Sequence, residues 1–245
     1  MYPVDMYKDF MNGHKVILVD FDNTICIDEW PFIGEFVPGA IEVLQKLQAF
    51  GHKLILFTQR DDFYPVSHED LELYKYIYRG NPEDDSFVDL LTPAVEICRH
   101  AGIEFWDINR NKTWEDMTGD FSRKVFGDLV IDDHNLGMPV TYVKNTFDEI
   151  CKIVDWEKVD VWLKENNYYN GNSFIVHDFE FKYTQNEYGD MEIGVLDKLN
   201  RTYVAYITWT DELPLIYDYV KGKSVEEIHE WLKKNTDFHE GEWNR

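Results

Sequence analysis

The chain has 245 residues, of which 44% are hydrophobic and 16% aromatic, so it can bury a core without disulfides or metals to staple it. Its formal net charge is −23, spread as 13 basic and 28 acidic side chains over residues 1–150 and 11 and 19 over residues 151–245. Neither part has the clustered Lys and Arg that neutralise a phosphodiester backbone, which argues against a nucleic acid as partner.

In chain order, the N-terminus lacks the basic-then-apolar pattern of a secretory signal. No apolar run approaches the ~20 residues of a membrane span, so a cytoplasmic protein without membrane attachment is expected. "VILV" (16–19) reads as a strand buried on both faces. "VPGAIEVLQKLQAFG" reads as a helix with Pro38 in its first turn, a stripe of Ile41, Val43, Leu44 and Leu47, and Gly51 as its stop. "KLILFT" (53–58) is a second buried strand, and residues 61–87, rich in Asp, Pro, Gly and Tyr, break the rhythm as an insertion. A helix resumes at "TPAVEICRHAG" with Thr92 as N-cap. "IEFWDI" and "DLVIDD" follow as strands, and "VTYV" as a last edge strand. This alternation predicts an α/β domain over residues 1–150 with a parallel sheet.

Beyond residue 150 a helix near 155–166 precedes "NSFIVHDFEFKYTQ", "MEIGVLDK" and "TYVAYITWT", three alternating runs separated by turn signals. They predict an antiparallel meander in a small α+β domain over residues 151–245. A final helix, "SVEEIHEWLKKN", carries the capping-box pair Ser224 and Glu227. The three cysteines, Cys26, Cys98 and Cys151, fit no metal-ligand spacing and read as reduced thiols.

The chemistry sits at strand ends. Asp20 and Asp22, two apart in an extended run, project to one side. Thr58, with Arg60 beyond it, follows the second strand, and the pair Asp132 and Asp133 ends "DLVIDD", with Lys124 eight residues before Asp132. In an open parallel sheet the carboxyl ends of the strands are where ligands bind. If these strands are neighbours, acids, a hydroxyl and an ammonium meet at one edge, the ingredients of phosphoryl transfer.

The order "DFDNT", then "ILFT", then Lys, then "IDD" resembles the haloacid dehalogenase superfamily of phosphohydrolases, over about residues 14–145. The resemblance implies a Rossmann-like, doubly wound parallel sheet with a minimal cap and a Mg2+-dependent phosphomonoesterase. Its substrate would be a small phosphorylated metabolite, plausibly a nucleotide. It implies that Asp20 attacks phosphorus to form an aspartyl-phosphate, Asp22 acts as acid and then base, and Lys124 neutralises charge. Asn23, Thr24, Thr58 and Arg60 would contact the phosphoryl group. Asp20, Asp22 through its carbonyl, and Asp132 or Asp133 would hold the metal, with Asp132 favoured for direct contact.

Several points stay open. Lys112 is a rival to Lys124, and Arg60 either meets phosphate or pairs with Asp61 or Asp62. Asn23 stands where the family most often has Gly, a place for left-handed backbone. Only 33 residues separate Thr24 from Thr58, too few for a large cap, whereas 61–87 is long enough for a flap. Its Tyr64, Tyr74, Tyr76 and Tyr78 would stack on substrate or cover the sheet. His134 is either a substrate contact or a loop residue with no role. The C-terminal domain is a lid, a dimerisation surface or a binding module. Two other functions compete: a polynucleotide 3′-phosphatase, which "FTQR" and "IDDHN" also resemble, and an acidic interaction protein or nucleic-acid mimic on a phosphatase fold.

Overall fold

The computed structural model describes residues 14–66, 87–111, 115–116, 119, 125–169, 173–185, 191–199, 202–207 and 213–236. The chain divides into two units, residues 1–48 with 52–162, and residues 49–51 with 163–245.

The first unit is α/β. Its sheet has the order β7-β4-β1-β8, from β1 (Val16–Val19), β4 (Lys53–Leu56), β7 (Asp107–Ile108) and β8 (Leu129–Ile131). All pairings are parallel, with Val19 opposite both Leu56 and Ile131. β1 is flanked on both sides and all four of its residues are buried, which is why its sequence is uninterrupted Val, Ile and Leu. Helix α1 (Ala40–Ala49) buries Val43, Leu44 and Leu47, each contributing about 1.5–3 kcal/mol of burial. It begins after Pro38 and Gly39 rather than with Pro38 in its first turn. Helix α2 (Leu91–His100) is capped by the Asp89 carboxylate, which accepts from the backbone N–H of Leu91 (3.0 Å) and Thr92 (2.8 Å). Thr92 is therefore inside the helix and not its N-cap.

Two features depart from the expected plan. A hairpin of β2 (Cys26–Glu29) and β3 (Phe32–Phe36) occupies the stretch directly after the first acid pair. A Cβ on Gly34 would run into the carbonyl oxygen of Ile27, so only glycine fits that crossing. "VTYV" lies in β9 (Val140–Lys144), which pairs antiparallel with β10 (Ile150–Val154) instead of extending the parallel sheet. β10 and the start of α3 (Trp156–Glu165) are tied to the first acid loop: Val154 N donates to Asn23 O at 2.9 Å, and Trp156 Nε1 to Thr24 O at 2.7 Å. The first unit accordingly runs twelve residues past 150, to Trp162. Of the 61–87 insertion, β5 (Tyr64–Pro65) pairs with β6 (Phe87–Val88). Tyr74, Tyr76 and Tyr78 lie outside the described residues.

Among the described residues the second unit has a meander of four strands, β11 (Ser173–Val176), β12 (Phe179–Gln185), β13 (Met191–Asp197) and β14 (Thr202–Ile207). The first predicted run is itself a hairpin, turning at His177, whose φ is +52°. Register partners Phe174 and Phe181 stack with centroids 4.7 Å apart, and Phe50 and Tyr217 close around Phe174. Helix α4 (Leu213–Val220), almost wholly apolar, is an addition to the elements expected from the sequence; Pro214 in its first turn and Gly222 beyond its end mark its limits. In α5 (Val225–Asn235) the expected capping box forms: Ser224 Oγ accepts from Glu227 N (3.2 Å) and Glu227 Oε2 from Ser224 N (2.7 Å). Among the described residues no helix is long and apolar enough to cross a membrane.

Candidate active site

From β1 the chain steps through α1 to β4 and on to β7 on one side, then returns to place β8 on the other side of β1. The order reverses between β1 and β8, and ligands of open α/β sheets bind outside the strand ends at such a reversal. Asp20 follows β1 and Asp132 follows β8. Asp20 N donates to Ile131 O at 3.0 Å, extending the ladder by one rung and fixing the acid over the reversal.

A cleft of ≈ 380 Å³ opens here, lined by Asp20, Asp22, Asn23, Asp28, Trp30, Gln59, Asp132 and His134. The chain reaches Asp22 through a tight turn in which Phe21 O accepts from Ile25 N (2.8 Å) and Cys26 N (3.0 Å). Asn23 has φ +61°, the left-handed geometry that asparagine tolerates best among residues with a Cβ. Burial in this site pushes the Asp20 carboxyl up to about 7, with the nearby charges of Asp132, Asp22 and Asp133 adding to the effect. Burial also raises Asp22, against the pull of Arg60.

Arg60 sits differently from either expected position. It is 2% exposed and grips Asp22 through Nε to Oδ2 (2.9 Å) and Nη2 to Oδ1 (2.6 Å). Its remaining donors reach Pro31 O (3.2 Å) and Phe32 O (2.8 Å) on the hairpin, and its guanidinium lies near the rings of Phe21 (5.0 Å) and Trp30 (5.2 Å). Four of its five N–H donors are thus engaged, and at 2% exposure it presents almost no surface to a phosphate in the cleft; neither Asp61 nor Asp62 is its partner. Cost explains the arrangement: a buried guanidinium needs a carboxylate and carbonyls together to offset its desolvation.

The other expected phosphate ligands are also engaged. Thr24 is fully buried; its hydroxyl donates to Asp20 Oδ2 (3.5 Å) and accepts from Asp133 N (3.2 Å), which ties the two acid loops together. Asn23 Oδ1 accepts from Asp28 N (3.2 Å). Thr58 Oγ1 accepts from Arg60 N (3.2 Å), while the Asn109 side chain bonds Thr58 N (2.8 Å) and Thr58 O (2.9 Å) like one more strand rung. Thr58 thus shapes the loop that presents Gln59 to the cleft.

Of the second acid pair, Asp132 faces the cleft and Asp133 turns inward, 3% exposed. Asp133 Oδ2 lies 3.5 Å from Lys152 Nζ. Its Oδ1 lies 2.8 Å from His134 Nδ1, yet no hydrogen bond to that oxygen is aligned. Asp132, Asp133 and His134 offer ligand atoms within 4.8 Å of one another, the grouping among the described residues that could hold a metal ion. Lys124 and Lys112 lie outside the described residues. Sequence reasoning missed Asp28, Trp30, Gln59 and Lys152. The first two belong to "CIDEWPFIGEF", where flanking apolar runs around Trp-Pro signal a hairpin that length counting alone treated as a spacer. Cys98 is pushed up to about 12 by burial, and burial likewise raises Cys26. Both are inert packing groups.

No known protein family matches this chain, and no curated protein does. Among solved structures, it is similar to a conserved protein from Bacteroides thetaiotaomicron at 32% identity, covering 63% of this chain and 93% of that one, with a TM-score of 0.41.

Proposed function

We propose that this protein is a divalent-metal-dependent phosphomonoesterase of haloacid dehalogenase type, acting on a small phosphorylated molecule through an aspartyl-phosphate. The observation that carries this reading is the convergence of Asp20, Asp22 and Asp132 in one cleft at the reversal point of a parallel sheet.

In the first step an oxygen of Asp20 bonds to phosphorus as the ester oxygen departs, and Asp22 supplies the proton that oxygen takes up. In the second, Asp22 takes a proton from water, the water oxygen bonds to phosphorus, and phosphate leaves as Asp20 is restored. Each Asp22 oxygen accepts one bond from Arg60 and keeps a lone pair for this traffic. Arg60 is a positioning residue here, and Thr24 fixes the distance between the loops that carry Asp20 and Asp132.

The set proposed to hold a hard divalent cation, the carboxylates of Asp20 and Asp132 and the backbone carbonyl of Asp22, is all oxygen, as Mg2+ prefers, and it shares Asp132 with the Asp132, Asp133 and His134 grouping. Two unit charges 4 Å apart at an effective dielectric of ~20 repel by about 4 kcal/mol. A bound divalent cation would offset that repulsion between substrate phosphate and these acids. Asp133 braces the site from behind with Lys152, and Lys124 remains the lysine proposed to neutralise phosphoryl charge. Steady-state hydrolysis of a small phosphate monoester with Mg2+ tests the reading: activity lost in Asp20→Asn and on chelation supports it, and activity unchanged in Asp20→Asn overturns it.

A further inference from the structure

We propose that Trp30 and Gln59 form a recognition subsite for a flat heteroaromatic ring, which makes the substrate class a monophosphate whose organic part carries such a ring without further charge. The inference rests on the phosphomonoesterase reading. Trp30 is a large apolar ring in a cleft otherwise lined by four carboxylates and polar groups, and it remains 39% exposed there. An exposed tryptophan at a hairpin tip would ordinarily wander. This one is held on three sides: its backbone N–H donates to Asp28 Oδ1 (2.9 Å), the Arg60 guanidinium lies 5.2 Å from its centroid, and Tyr64 meets it at 5.3 Å and 77°. A rigid, partly bare indole adds stacking at little entropic cost.

Gln59 complements it from the end of β4. Its side chain is exposed at the cleft, is not used in any described hydrogen bond, and offers an acceptor and two donors that match the edge of a nitrogen heterocycle. The cleft's ≈ 380 Å³ is near the lower end of ligand-site sizes. Asp28 disfavours a second phosphate: it adds a fourth carboxylate beyond the three that flank the reacting phosphoryl group. A nucleoside monophosphate therefore fits, whereas di- and triphosphates and a polynucleotide backbone do not.

The test compares kcat/KM of the full chain with Mg2+ on adenosine and uridine monophosphates, pyridoxal phosphate, adenosine triphosphate and glycerol phosphate. The expected result is at least a hundredfold preference for ring-bearing monophosphates over glycerol phosphate. That ratio should fall at least tenfold in Trp30→Ala and be largely kept in Trp30→Phe. The nucleotide and pyridoxal arms distinguish the two sources of a flat ring. Hydrolysis of glycerol phosphate without preference for either ring-bearing class, or a ratio untouched in Trp30→Ala, overturns this inference and leaves the phosphomonoesterase reading standing. If no ester is hydrolysed, that reading falls, and calorimetry of adenosine monophosphate with Mg2+ on Asp20→Asn decides the subsite. Binding weakened at least tenfold by adding Trp30→Ala supports it, and equal binding refutes it.

Discussion

Asp20 allows a test of the site that needs no substrate. In the folded chain its carboxyl titrates near 7 against an ordinary 3.8, so between those values the folded state keeps a proton that the unfolded chain has lost. A raised acid pKa makes ionisation a cost to the fold. Stability without metal should therefore fall as pH rises through that window, with the loss complete above about 7. From pH 5 to pH 8 the linkage amounts to about 2.6 kcal/mol at full weight, and roughly 1–2 kcal/mol once the opening of Asp20 to the cleft is discounted.

Asparagine at position 20 is uncharged at every pH and keeps the shape. In urea denaturation with EDTA, Asp20→Asn should gain on the wild type by that roughly 1–2 kcal/mol between pH 5 and pH 8. At pH 8, Mg2+ should stabilise the wild type in proportion to its binding, and the variant much less. If the stability difference between the two proteins is flat from pH 5 to pH 8, Asp20 is not held near neutrality and the reasoning fails.

Four further outcomes follow from named contacts. Arg60→Met should destabilise by up to about 3 kcal/mol in urea, because the half-buried Asp22 loses its partner and two hairpin carbonyls lose a donor, and Asp22→Asn in the same chain should recover part of the loss. Gly34→Ala should disrupt the β2–β3 hairpin through its clash with Ile27, read as faster proteolysis between β2 and β3. Ser224→Ala should lower the stability of the second unit by about 0.5–2 kcal/mol through loss of the α5 cap, measured by thermal denaturation. Trp156→Phe should cost about 1–3 kcal/mol, because the buried carbonyl of Thr24 loses its donor, measured in urea.

The parallel core was legible because its signals are strong and local. Val16–Val19 is an unbroken apolar run, Gly51 and Gly102 mark helix ends, and the acids follow the strands directly. What escaped depends on pairings that sequence spacing does not encode. β9 pairs with a strand that had no assigned role, and the β2–β3 hairpin occupies residues counted only for their number. α4 leaves apolar Leu215 and Tyr219 exposed opposite its buried Ile216, Tyr217 and Val220, so apolar residues alone do not separate its two faces in the sequence. Within the site, the acids were found because a cleft acid is a strand-end acid, but the hydrogen-bond partners of Thr24, Asn23 and Arg60 are set by loops that meet only after folding.

Arg60 shows what that difference means chemically. A cation two residues beyond a strand end in an acidic chain reads naturally as a phosphate ligand, yet the guanidinium is spent on Asp22 and on two hairpin carbonyls. Its charge lowers the cost of ionising Asp22 while leaving Asp20, which has no such partner among the described residues, raised by burial. Two carboxylates two residues apart are thereby made unequal by a third residue thirty-eight positions away. The same guanidinium touches the ring of Trp30, so the hairpin that carries the exposed indole and the acid proposed to move the proton share one support. A change that loosens the hairpin must therefore also loosen Asp22. In the variants above, the loss from Arg60→Met should reach both substrate discrimination and turnover, whereas the loss from Trp30→Ala should fall chiefly on discrimination.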